Sequence, residues 1–226
     1  MRFLLVAATD FELAPLVSRL TPAPHSSERL RAFTHASHHV DILTTGIGMT
    51  ATAAWCARAL AQQRYALAVN LGVCGSFNAA YPPGTVVNVM TDCIPELGAE
   101  DDEQFLTVQD LGLLGPDDSP FLGGKLVNPE VPPNRAIGGL PAVSGVTVST
   151  VHGNVRSIAR VVERFAPDVE SMEGAAFMYA CLVSGARFAQ VRAISNMVEK
   201  RNRGAWKLDE AIGALNDVGL RLIEQG

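Results

Sequence analysis

Two rhythms of apolar and polar positions run along the chain. Residues 2–8 hold an unbroken apolar run, Phe3-Leu4-Leu5-Val6-Ala7-Ala8, as expected of a strand covered on both faces. After Thr9-Asp10, which suits a helix cap, Leu13, Leu16, Val17 and Leu20 recur at helical spacing. Pro22, Pro24 and Ser26-Ser27 end that helix. Residues 29–33 and 40–45 read as a hairpin around a polar turn carrying His35, His38 and His39. Gly46-Ile47-Gly48 then opens an alanine-rich helix over 50–63. A buried strand over 66–71 runs into a glycine turn, Gly72-Val73-Cys74-Gly75-Ser76, and another strand covers 85–90.

From about residue 92 to 141 the pattern changes to prolines, glycine pairs and an acidic run, Glu100-Asp101-Asp102-Glu103. An irregular segment this long within a domain suits a lid, a binding loop or an interface arm. Strand and helix signals then resume: a strand over 146–150, a helix over 155–164, a strand over 188–194 and a last helix over 207–224. Alternating strands and helices predict one α/β layered domain over 1–226, and the early hairpin makes its sheet mixed.

At the centre of the last third stands Val169-Glu170-Ser171-Met172-Glu173-Gly174-Ala175-Ala176. It places two carboxylates where a strand gives way to a helix, the edge at which α/β sheets bind ligands. Acidic residues also complement a helix N-terminus without any ligand. The glycine turns at 46–48 and 72–75 point to the same sheet edge, and their convergence predicts a pocket.

Composition narrows the chemistry. The net charge is -5 with 18% charged residues and no basic cluster, which excludes a nucleic-acid partner. Cys56, Cys74, Cys93 and Cys181 are scattered among apolar neighbours, as buried free thiols of a reducing compartment. They form no metal-binding spacing, and no metal is expected. Gly46-Ile47-Gly48-Met49-Thr50-Ala51 matches the glycine part of a dinucleotide fingerprint. The acidic ribose-binding residue that should follow is missing between Ala57 and Leu71, so NAD is not expected. No apolar run reaches membrane-spanning length, so no membrane partner is expected. The first apolar run is short and reads as a strand, not a signal peptide. A cytoplasmic enzyme is the expectation.

Five pieces in order carry a resemblance: Ala8-Thr9-Asp10-Phe11-Glu12, Thr45-Gly46-Ile47-Gly48, Asn70-Leu71-Gly72-Val73-Cys74-Gly75, Ser171-Met172-Glu173-Gly174-Ala175 and Val191-Arg192-Ala193-Ile194-Ser195-Asn196. Together they resemble the purine nucleoside phosphorylase and nucleosidase family, near its methylthioadenosine/S-adenosylhomocysteine nucleosidases and nearer still to its futalosine hydrolases. The resemblance implies a three-layer αβα sandwich with a central mixed β-sheet, a homodimer or larger homo-oligomer, and cleavage of an N-glycosidic bond to a purine without a cofactor.

Residue by residue it implies Glu12 as the general base for water, Met172 and Glu173 as the ribose clamp, and Arg192 beside the nucleophile. Asn196 takes the place of the aspartate of the adenine-cleaving branch. Val73, Cys74, Gly75, Thr9 and Thr150 complete the expected substrate-binding set, and Glu170 is left a supporting role. Asparagine offers an N–H donor where aspartate accepts, which suits the carbonyl of a 6-oxopurine. Futalosine, with hypoxanthine as its leaving base on the route to menaquinone, is therefore the expected substrate. The phosphorylases of the family place arginine and serine where this chain has Asn70 and Val73, so water is the expected nucleophile. Arg201 or Arg203 is a candidate for the carboxylate at the far end of the substrate. Phe105 and Phe121 are candidates for covering it, or else anchors of their segment.

Overall fold

The computed structural model describes residues 1–24 and 27–226. Of the expected helix stop, Ser26 lies outside the described residues. The first strand, β1 (Arg2–Ala7), shows how the unbroken apolar run is used. Side chains alternate across a strand. Phe3, Leu5 and Ala7 pack into one core, with Leu13, Leu16 and Leu215, while Leu4 and Val6 pack into a second, with Cys56, Ala59 and Phe177. Each fully buried Leu, Val or Phe contributes about 1.5–3 kcal/mol of transfer free energy.

Helix α1 (Asp10–Val17) follows, then β2 (Thr21–Pro22), the hairpin β3 (Leu30–His35) and β4 (His38–Thr44), and α2 (Met49–Gln62). Next come β5 (Leu67–Ser76) and β6 (Val86–Cys93). The segment after β6 is less irregular than its composition predicts. It forms a separate hairpin, β7 (Gly98–Asp101) with β8 (Gln104–Thr107), then β9 (Phe121–Leu122), β10 (Lys125–Val127) and a short α3 (Arg135–Gly138). Strand β10 joins the main sheet beside β6. Then follow β11 (Ala142–Thr147), α4 (Val155–Phe165), β12 (Val169–Ser171), α5 (Gly174–Ser184), β13 (Phe188–Met197) and α6 (Leu208–Glu224).

The sheet is mixed, with β1 parallel to β4 and β5 and the β3–β4 hairpin antiparallel. Helices α1, α3 and α6 pack together on one face, and α2 with α5 on the other. The sheet also curls back on itself. Strand β5 pairs with β12, β12 with β11, β11 with β6, β6 with β13, and β13 with β5 again.

Two expected boundaries are corrected. The strand expected over 146–150 lies at Ala142–Thr147. Its partner β12 ends opposite Thr147, at Ser171, so residues beyond have no strand to pair with. The expected turn over 72–75 is the second half of β5. Gly72, Val73 and Cys74 stay extended because β13 pairs with them through Arg192, Ala193 and Ile194.

Candidate active site

Glu12 illustrates how a local cap becomes a site residue. It is the third residue of α1, and its Oε2 reaches back to accept hydrogen bonds from Thr9 N at 3.0 Å and Thr9 Oγ1 at 3.1 Å. Its Oε1 accepts from Val73 N at 3.2 Å. Three donors therefore fix a buried carboxylate between the end of β1 and the middle of β5.

Glu173 is set by a different turn. Gly46 and Gly48 both have φ near +90°, a region costly for residues with a Cβ. This conformation turns the Gly48 N–H, at the start of α2, onto Glu173 Oε1 at 3.0 Å. The first glycine turn thus holds a protein carboxylate, at a helix N-terminus that favours negative charge. Glu173 Oε2 lies 3.8 Å from Arg192 Nη1. Burial pushes the Glu173 carboxyl above its ordinary pKa, against the pull of Arg192 and of the Gly48 N–H.

Arg192 is 1% exposed. Its Nη2 donates to Asn70 Oδ1, and its Nε donates to Gln190 Oε1 at 3.2 Å. Asn70 spends its own amide on Val6 O at 3.0 Å. Gln190 Nε2 donates to Asp92 at 3.0 Å, and Thr147 Oγ1 lies 3.0 Å from both Asp92 oxygens. Burial pushes Asp92 up to about 6, partly offset by these donors and by Arg192. Gly72 makes room for the arrangement: a Cβ there would overlap Arg192 Nη1 and come within 3.0 Å of Glu12 Oε1.

Glu12 and Glu173 border a cavity of about 380 Å³. Thr9, Glu12, Val73, Cys74, Gly75, Met172, Glu173 and Asn196 line it. Phe11 and Ile47, both exposed, also line it. Asn196 accepts from Ser195 Oγ at 2.8 Å and donates to Met197 O at 2.9 Å. Burial pushes the Cys74 thiol up to about 12, which makes it an inert wall.

The structure thus brings together all the expected site residues except two. Arg192 does not line the cavity, and its nearest tie to it is Glu173 Oε2, 3.8 Å from its Nη1. Thr150 is exposed and outside it, while the next two residues, Val151 and His152, line it. The cause is the early end of β11, which carries the chain across the opening. Arg201 lines the cavity with its guanidinium 5.7 Å from the Trp206 ring centroid, and Arg203 stacks on the same ring at 5.9 Å from outside. Within this chain Phe105 and Phe121 anchor their segment: Phe105 lies under Arg164, and Phe121 packs edge-on to Tyr179. Sequence reasoning passed over His152 and Trp206. The signal for His152 was its place just beyond a strand end on the ligand-binding edge. Glu170, left in a supporting role, lines the cavity and bonds His152.

The phosphorylase superfamily model matches residues 2–224, nearly the whole chain. The chain belongs to the phosphorylase superfamily. A futalosine hydrolase of Streptomyces coelicolor is 32% identical over 230 residues, covering 96% of this chain and 93% of that protein. A futalosine hydrolase of Acidothermus cellulolyticus is 30% identical over 214 residues, covering 93% of this chain and 84% of that one. Among solved structures, a 5'-methylthioadenosine/S-adenosylhomocysteine nucleosidase from Colwellia psychrerythraea, in complex with adenine, superposes with a TM-score of 0.80 at 20% identity. It covers 100% of this chain and 95% of its own. That likeness is one of fold: a mixed sheet between helices. Among the described residues no cluster of His, Cys, Asp or Glu is arranged to hold a metal ion. No described helix is long and apolar enough to cross a membrane.

Proposed function

We propose that this chain is an N-glycosyl hydrolase that cleaves futalosine to hypoxanthine and dehypoxanthine futalosine, a step of menaquinone biosynthesis. The observation that carries the reading is the pairing of two buried carboxylates, Glu12 and Glu173, at one cavity, with Arg192 beside Glu173. Relatives at 32% and 30% identity that are futalosine hydrolases support the choice of substrate.

In this reading Glu173 binds the ribose hydroxyls, with Met172 against the sugar. As the glycosidic bond breaks, its electron pair leaves with the base and positive charge grows on the sugar. The buried carboxylates stabilise that charge. Water attacks the anomeric carbon, and Glu12 takes its proton. Asn196 donates to the departing hypoxanthine, which is protonated from solvent. The reaction needs only water and protein groups. Water as nucleophile is supported by Asn70, which brings no positive charge of its own where the family's phosphorylases carry an arginine, and whose amide is spent on Val6 O and Arg192. Assembly as a homodimer or larger, in the cytoplasm, belongs to the same proposal.

The test is to incubate the purified protein with futalosine, inosine and methylthioadenosine, each with and without phosphate, and to follow the free base. Phosphate-independent hypoxanthine release from futalosine is expected. Adenine from methylthioadenosine with none from futalosine would replace the reading by a methylthioadenosine-type nucleosidase. Strict phosphate dependence would replace it by a phosphorylase.

A further inference from the structure

One buried pair at the cavity has no part in the chemistry above. Glu170 Oε2 lies 2.6 Å from His152 Nδ1, and Glu170 Oε1 accepts from the His152 backbone N–H at 3.0 Å. Both residues line the cavity, and both side chains are largely buried, at 4% and 14% exposed. Phe77 packs edge-on to the imidazole, with ring centroids 6.3 Å apart. The pair borders the same end of the cavity as Asn196. A Cβ built on Gly75 would meet Asn196 Nδ2 at 3.3 Å on one side and Glu170 Cγ at 3.7 Å on the other.

We propose that His152, oriented by Glu170, reads the edge of the leaving base and, with Asn196, selects 6-oxopurines over 6-aminopurines. The inference rests on the reading of this cavity as a purine nucleoside site. A carboxylate accepts only, so in the neutral form of the imidazole the ring proton sits on Nδ1, and it is this form that the proposal assigns to the substrate-free site. The atom left for a ligand is Nε2, an acceptor. A 6-oxopurine presents an N–H at N1 beside a carbonyl at C6. Adenine presents the reverse, an acceptor at N1 beside an amino group. An acceptor at His152 Nε2 together with a donor at Asn196 Nδ2 matches the first pattern and leaves polar groups unpaired against the second. Glu170 is a positioning residue: it fixes the ring and its tautomer without touching the base.

The test compares hypoxanthine and adenine as competitive ligands, alongside futalosine turnover, in the parent protein and in His152→Ala and Glu170→Gln. Loss of one matched hydrogen bond, about 1.4 kcal/mol, lowers the preference for hypoxanthine about tenfold in His152→Ala. Glu170→Gln is the sharper variant. Glutamine has an N–H to donate to Nδ1, which moves the ring proton to Nε2. The preference should then fall at least as far and turn towards adenine. Equal weakening for both bases in both variants would mean a structural role only and would overturn the proposal. If the parent protein fails to cleave futalosine, yet binds hypoxanthine preferentially and loses that preference in His152→Ala, the choice of substrate fails while this inference stands.

Discussion

Gln190 Nε2 donates to Asp92 at 3.0 Å while Gln190 Oε1 accepts from Arg192 Nε at 3.2 Å, so the amide of one glutamine joins a buried acid to a buried base. The acid end is the one that titrates. Its folded value of about 6 stands above the ordinary aspartate value of about 3.9. The folded state therefore holds the proton more tightly. Stability linked to Asp92 is full below about pH 4 and is lost as pH rises towards 6, by about 3 kcal/mol at most. In melting curves from pH 4 to 7, Asp92→Asn should lack this decline, so the difference in Tm from the parent shifts in the variant's favour as pH rises. A pH-independent difference would remove Asp92 as the titrating group.

Glu12→Gln removes the proposed base but keeps the side chain's size. Loss of general-base catalysis typically costs about 10²–10⁴ in rate. The expectation is a fall in kcat of that order with substrate affinity, measured by calorimetry, within a few-fold of the parent. Unchanged kcat would take Glu12 out of the mechanism.

Asn196→Asp exchanges a donor for an acceptor at the base end of the cavity. Hypoxanthine release should fall, and the ratio of adenine to hypoxanthine released from paired substrates should rise by about tenfold or more. Competition between futalosine and methylthioadenosine measures that ratio directly.

Gly72→Ala tests the crowding at Arg192. The added Cβ would overlap the guanidinium, so either the arginine moves or β5 does. Overpacking of this kind costs about 1–3 kcal/mol, and a lower Tm should accompany a loss of turnover. A fully active variant would mean that the position of Arg192 is not critical.

Glu173 predicts an acid limb in the activity profile. In the proposed mechanism the carboxylate form is the one that stabilises the ribosyl cation, and burial raises its pKa. As pH falls, kcat/KM should decline at values above those of an ordinary glutamate. Glu173→Gln should move that limb in its residual activity, and an unmoved limb would assign the decline to another carboxylate such as Glu12.

Much of this arrangement was legible in the chain. The apolar runs, the glycine pairs and the acidic step at Glu173 marked the right sheet edge, with Glu12 in the first turn of the helix after β1 and Asn196 near the end of β13. What stayed hidden depended on partners distant in sequence. Gly72 and Gly75 read as a turn because glycine usually breaks a strand, whereas here pairing with β13 and the bulk of Arg192 and Val198 demand glycine within one. The turn at Gly46-Ile47-Gly48 pointed to the pocket edge, and what stayed hidden is that the Gly48 N–H goes to a carboxylate 125 residues away. For His152 the sequence showed only a place beyond a strand end, and nothing local shows that Glu170 meets it across 18 residues.

The ring of strands has a kinetic meaning. Around Val191–Ala193, β13 is paired with β5 on one edge and β6 on the other, so these residues have no free edge from which to peel away. Amide protons there should exchange with solvent only when the whole domain opens. Arg192 is thus carried by backbone that should be among the slowest to exchange, and its alignment with Glu173 should persist through the local fluctuations by which substrate enters and product leaves.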